Sequence, residues 1–202
     1  MLNMKSLGIT GNIGSGKSSV LNIVKNMGNT TYDLDDVAKN FYKNDPNIKN
    51  DVLEIFPKVK SNKNEIDIKK LGKIVFNDSK KLRTLQEIIW PQVEKYIINK
   101  IKNTSNLIIF EGALIIEAEW YKLFDFIWII DSKVELSQNR VTNSRNLSKK
   151  DFEMILSHQN NINEMVKILS MNNVPYSIIT NNSDFKSLQK ETEKKFKNLS
   201  NK

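Results

Sequence analysis

The chain has 202 residues, 39% of them hydrophobic, which suffices for a buried core and argues against wholesale disorder. It has no cysteine and one histidine, His158, so a disulfide scaffold, a catalytic thiol and a Cys/His zinc site are excluded. No apolar run approaches the roughly 18 residues of a spanning helix, and the first ten residues lack a long apolar stretch, so a soluble, cytoplasmic, single-domain protein is expected. The formal charge is +8, a surface that attracts polyanions such as nucleic acid, acidic lipid or a phosphorylated small molecule. Of the 31 basic residues only three are arginine, Arg83, Arg140 and Arg145. Where lysine is the default cation, an arginine marks a place that needs a planar, multidentate donor.

Lys5 to Thr10 reads as a strand, and Val20, Leu21, Ile23, Val24 and Met27 recur at helical spacing, with Gly28 placed to end that helix. Thr30 to Asp33 reads as a second strand, after which Leu34 opens a helix. From about residue 46 to 104 the pattern is helical and lysine-rich, punctuated by Pro46 and Pro57. Trp90-Pro91 is expected to break or kink its longest helix. Leu107–Glu111 and Phe124–Ile130 are nearly continuous apolar runs, as in parallel strands covered on both faces. A helical stretch from Val134 to Ser170 leads to a last strand, Tyr176–Thr180, and the chain from Lys194 onward is expected to fray. Helices alternating with strands, one between the third and fourth included, imply an α/β core of three layers with a helical insert.

Between the first strand and first helix, Gly11, Gly16, Lys17 and Ser18 satisfy G-x-x-x-x-G-K-[ST], the phosphate-loop signature, in the context it requires. Gly11, Gly14 and Gly16 leave room for backbone amides to converge on phosphate oxygens. The helix adds its positive end, Lys17 reaches the β- and γ-phosphates, and the Ser18 hydroxyl is a Mg²⁺ ligand. Ser19 is a further phosphate donor. A GTPase needs a guanine-reading Asn-Lys-x-Asp after a strand; the nearest approach, Asn62–Glu65, follows none. Asp131 ends a strand and reads as a helix cap. Asp33, Asp35 and Asp36 lie just past the second strand, where functional groups of open α/β sheets gather. Asp33 is the candidate for orienting or deprotonating an acceptor hydroxyl, with Asp35 as a cap of the next helix. Glu111, at the end of the third strand, is placed to hold a Mg²⁺-bound water. Arg140 and Arg145, in a polar segment, suit a lid over transferring phosphates. His158 and Gln159 read as satisfied polar residues on a helical face.

Over nearly its whole length the chain resembles the dephospho-CoA kinases, a family of the P-loop nucleotide-kinase-like group. The resemblance rests on Ile9–Ser18, on Tyr32-Asp-Leu-Asp-Asp-Val-Ala-Lys39, on Leu85–Pro91, on Glu111-Gly-Ala-Leu-Ile-Ile-Glu117, on Arg140 and Gln159, and on Ile178–Ser183. Trp90, Ala113 and Lys39 depart from the family's usual histidine, proline and arginine, and Arg145 stands one residue late. The resemblance implies a parallel five-stranded sheet in a single kinase domain. The helical insert would be acceptor-binding, and a lid is expected at about residues 140–150. It implies Mg-ATP-dependent phosphorylation of the ribose 3′-hydroxyl of dephospho-CoA, by a monomer with neither nucleic-acid nor membrane partner. Lys17 and Arg140 would face the developing charge and Asp33 the acceptor hydroxyl. Gly11, Asn12, Gly14, Ser15, Gly16, Lys17, Ser18 and Ser19 would hold the nucleotide, with Asn181 bordering the adenine. Asp33, Asp35, Leu114, Ile115, Glu117 and Arg145 would contact the acceptor. Two alternatives stay open on the residues alone: a kinase of another small hydroxyl acceptor, and a nucleic-acid-associated P-loop ATPase.

Overall fold

The computed structural model describes residues 4–145 and 147–200, with Arg145 and Ser200 described by backbone alone. The chain divides into two compact units, Met1–Asp33 with Asn99–Lys202, and Leu34–Ile98.

The first unit is built on β1 (Ser6–Thr10), followed by α1 (Lys17–Asn26) and β2 (Thr30–Asp33). Gly28 has φ +90° just past the end of α1, the left-handed turn expected of it. After the second unit come β3 (Ile108–Glu111) and β4 (Phe126–Asp131), and β5 (Tyr176–Thr180) closes a five-stranded sheet of order β2-β3-β1-β4-β5. Every adjacent pair is parallel. Parallel strands need both faces covered, which is why β1 and β3 are buried throughout. On one face Leu7, Ile9, Ile109, Trp128 and Ile130 meet Val20, Leu21 and Val24 of α1 and Leu188 and Leu199 further along the chain. Those last two lie on the terminal helix, which runs unbroken from Phe185 to Ser200. The expected fraying from Lys194 is therefore overturned as far as Ser200: burying Leu199 holds the last turns down. The expected helix between β3 and β4 is also absent among the described residues; turns and a short 3₁₀ segment, Trp120–Leu123, connect them.

The second unit is helical. It contains α2 (Leu34–Asn44), α3 (Pro46–Ile55), α4 (Ile68–Phe76) and most of α5 (Ser79–Lys102). It starts at Leu34, earlier than the insert read from the sequence, since α2 packs on α3. Asp45 caps α3 by accepting from the amides of Asn47 and Ile48, and Asp67 caps α4 through Lys70. The helix α5 runs through Trp90-Pro91 without ending, so of the expected break or kink the break is absent. Leu85, Ile89, Val93 and Ile97 are all buried and lie four residues apart on one stripe. Burying such side chains is worth about 1.5–3 kcal/mol each, which outweighs the roughly 3 kcal/mol of an internal proline.

Between β4 and β5 the single helical stretch expected is three helices, α6 (Val134–Arg145), α7 (Lys149–Leu156) and α8 (Ile162–Met171). Reciprocal capping boxes, Ser148 with Asp151 and Asn161 with Glu164, begin the last two. The terminal helix is α9 (Phe185–Ser200). No helix among the described residues is long and apolar enough to cross a membrane.

Candidate active site

Parallel α/β sheets gather functional groups at the carboxyl ends of their strands. Here those ends are Thr10, Asp33, Glu111, Asp131 and Thr180. The loop from Gly11 to Gly16 leaves the central strand β1 and turns into α1. Gly11 has φ +143° and Gly16 φ +101°. A Cβ at Gly11 would lie 2.3 Å from the Ile130 carbonyl oxygen, and one at Gly16 2.2 Å from Asn181 Nδ2. Backbone conformation and close approach both demand glycine at these two positions. The N-terminus of α1 carries no side-chain cap and no acid in its first turn, so its orphan amides are left for an anion.

Lys17 is buried, and its ammonium donates to the Asn12 carbonyl at 3.0 Å. Ser18 faces solvent while its hydroxyl donates to Glu111 Oε2 at 3.3 Å. Glu111 is itself buried, in register with Ile9 on one side and Asp33 on the other. Adjacent strands lie about 4.8 Å apart, so Asp33 and Glu111 are neighbouring positions at the carboxyl edge of the sheet. A hydroxyl and a carboxylate are hard oxygen donors of the kind Mg²⁺ prefers, so Ser18 and Glu111 fit that ion. No group of three or more carboxylates or histidines suited to a metal gathers among the described residues.

Asn181, after β5, is buried, and its side-chain amide donates to the Ser15 carbonyl at 2.7 Å. Arg140 of α6 grips the same residue. Its Nη2 donates to the Asn181 carbonyl at 2.9 Å and to Asn181 Oδ1 at 3.3 Å, while Nη1 donates to Ser132 Oγ at 2.9 Å. The planar fork is thus spent on the loops after β4 and β5. The Asp131 cap is overturned: α6 begins at Val134, beyond its reach as a cap, and the Asp131 carbonyl accepts from the Asn181 amide instead. Asp35 does not cap α2 as expected, since the helix begins at Leu34; it is exposed in the first turn, where an acid suits the helix dipole. The Arg145 side chain lies outside the described residues, and the expected lid spans the end of α6 and the start of α7.

Leu114, Ile115 and Glu117 follow β3 on a run of turns. Ile115 is wholly buried, which leaves its side chain no surface to offer a ligand, whereas Leu114 is partly exposed. Glu117 Oε1 accepts from the Asn160 amide at 2.7 Å, while its Oε2 is buried without a hydrogen bond. Burial pushes the Glu117 carboxyl above the usual glutamate range, against the lowering pull of the Asn160 amide and the Lys17 charge. A carboxyl whose folded pKa is raised stabilises the fold fully below its unfolded pKa, near 4.3, and loses that contribution as pH rises through the raised value. Glu117→Gln cannot ionise. It is expected to melt above the parent at about pH 8, with the lead shrinking as the pH falls through the raised value and gone below about 4, which melting curves across that range will read.

Two residues near the loop were misplaced or missed by sequence reasoning. Gln159 sits in the turn between α7 and α8, not on a helical face, and accepts from the Ile13 amide at 2.8 Å. Asn160, beside it, accepts from Asn12 Nδ2 at 3.0 Å. The Asn161-x-x-Glu164 capping pattern was the available signal that a helix restarts here.

A glycine-shaped anion loop at the head of a parallel 2-3-1-4-5 sheet, with carboxylates on the neighbouring strand ends, defines a P-loop phosphotransferase. The model of the dephospho-CoA kinase family matches residues 5–186. The chain belongs to that family and is a kinase of the last step of coenzyme A biosynthesis, with ATP and dephospho-CoA as substrates. It is 32% identical to the dephospho-CoA kinase of Aquifex aeolicus over 201 residues, 97% of this chain and 98% of that one. Among solved structures it is similar to a Thermus thermophilus protein, with TM-score 0.76 and 22% identity, covering 97% of this chain and 98% of that one. It is also similar to the dephospho-CoA kinase of Campylobacter jejuni, with TM-score 0.64 and 21% identity over 97% of both chains.

Proposed function

We propose that the phosphoryl group moves at the carboxyl edge of β1, β2 and β3, with Asp33 facing the acceptor hydroxyl and Lys17 the transferred phosphate. The single observation that carries this is the register that sets Asp33 beside Glu111, whose carboxylate reaches Ser18 of the phosphate loop. Little covalent chemistry is asked of the protein, so positioning and charge stabilisation supply most of the effect. The amides of Gly14, Gly16, Lys17 and Ser18 receive the phosphates and Ser19 is a further donor, with Gly11, Asn12 and Ser15 shaping the loop. Asp33 orients the ribose 3′-hydroxyl and takes its proton. Lys17 and Arg140 balance the charge that spreads over the phosphoryl oxygens, Arg140 acting from the base of the lid. Ser18 would hold Mg²⁺ directly and Glu111 through water, and the ion would supply positive charge to the nucleotide phosphates. Leu114 and Glu117 border the acceptor, and Asn181 borders the adenine. The enzyme acts as a cytoplasmic monomer without nucleic acid; its charge of +8 serves two polyanionic substrates.

Purified protein is expected to release ADP only when Mg-ATP and dephospho-CoA are both present, in a coupled assay against a panel of acceptors. Adenylate or gluconate serving far better at equal concentration would overturn the acceptor assignment. Retention on DNA or RNA with a steep salt dependence would overturn the exclusion of nucleic acid.

A further inference from the structure

The outer arm of the phosphate loop, Asn12 to Gly14, is held by segments far along the chain. The Ile13 side chain is buried with Val141 of α6 and Phe152 of α7. A Cβ at Gly14 would lie 2.4 Å from the Ser137 carbonyl oxygen, so α6 closes against the loop. The Asn160 backbone links the two remaining sides, donating to Glu117 and accepting from Asn12 Nδ2. The turn that carries Gln159 and Asn160 is held on the α7 side by the His158 and Gln159 amides, which donate to the Ile155 and Leu156 carbonyls, and runs into the Asn161–Glu164 capping box of α8.

Within that arm one peptide unit stands out. The carbonyl of Asn12 and the amide of Ile13 belong to the same peptide plane. Lys17 Nζ donates to the carbonyl at 3.0 Å, and the amide donates to Gln159 Oε1 at 2.8 Å. Because the plane is rigid, whatever fixes the amide also fixes the carbonyl that receives the lysine. We propose that Gln159 is a positioning residue for phosphoryl transfer: by anchoring the Asn12–Ile13 peptide it sets where the Lys17 ammonium waits for the nucleotide. This rests on the phosphate-binding role given to Lys17 above. An anchored peptide spares the loop an ordering cost when ATP arrives. The same peptide links the α7–α8 turn to the reacting end of the site, across 146 residues of sequence.

The test compares Gln159→Met, which keeps length and loses the acceptor, with Gln159→Glu, which keeps an acceptor oxygen. In hydrogen exchange the Ile13 amide is expected to lose protection in Gln159→Met and keep it in Gln159→Glu, with melting temperatures close to the parent. The KM for Mg-ATP in Gln159→Met should rise roughly three- to tenfold, the value of one hydrogen bond, with the KM for dephospho-CoA unchanged. In a Lys17→Met background the same change should add almost nothing, because it acts through the lysine. Full additivity of the two substitutions, or an Ile13 amide equally protected in Gln159→Met, would overturn the proposal. Lys17→Met with parental kinetics would instead overturn the role of Lys17, which keeps the two failures apart.

Discussion

Asp33→Asn is expected to fold, to bind Mg-ATP within a few-fold of the parent, and to lose about 10²–10⁴-fold in turnover. Asn preserves the shape and one acceptor oxygen at the end of β2 but cannot take a proton. Asp33 pairs in register with Glu111 on β3, whose other neighbour is Ile9 on β1, two residues before the loop glycine Gly11. A carboxylate there stands close to the strand edge from which the phosphate loop departs. A competing role is equally concrete: α2 begins at Leu34, so Asp33 occupies the position of a helix cap. Loss of a cap costs about 1 kcal/mol of stability and leaves chemistry intact. Thermal melting and single-turnover phosphoryl transfer on one preparation separate the two. A variant that melts early yet transfers phosphate at the parental rate removes Asp33 from the reaction.

Arg140→Lys is expected to lower turnover by roughly one to three orders of magnitude, within the range of arginine contributions to phosphoryl transfer, and to change ATP binding less. Lysine keeps the charge and loses the fork. The three hydrogen bonds of that fork, to Ser132 Oγ, the Asn181 carbonyl and Asn181 Oδ1, also predict a lower melting temperature. Hydrogen bonds from a charged donor are worth about 1.5–3 kcal/mol each, and a lysine ammonium at this distance retains only part of them. Turnover that falls further than ATP affinity places Arg140 in the transition state. A lowered melting point with unchanged turnover leaves it a brace for Asn181 and, through the Asn181 amide, for the Ser15 carbonyl.

The two variants probe residues with different visibility in the sequence. Asp33 was legible because it closes a short strand and stands near a complete phosphate-loop signature. Arg140 was legible by rarity, one of three arginines among 31 basic residues. Its partners were not, since Ser132 and Asn181 are brought to it by the pairing of β4 with β5. Gln159 shows the limit most clearly: its partner is an amide 146 residues earlier. A glutamine in a polar stretch carries no local mark of such a contact.

The sequence by itself determined the phosphate loop and the run of strands, which depend on neighbours along the chain. The glycine loop needs positive φ and room within six residues, and the apolar runs set strands covered on both faces. Tertiary structure alone decided what depends on contact between distant segments. It set the 2-3-1-4-5 strand order and the alignment of Asp33 with Glu111. It kept α5 intact through Pro91, because four buried aliphatic side chains outweigh one proline, and left β3 and β4 joined without the expected helix. It held α9 helical to Ser200 by burying Leu199. It also anchored the Asn12–Ile13 peptide on Gln159. Local patterns act through backbone sterics and periodic burial within a few residues, whereas these outcomes are set by packing and hydrogen bonds that exist only once the sheet has assembled.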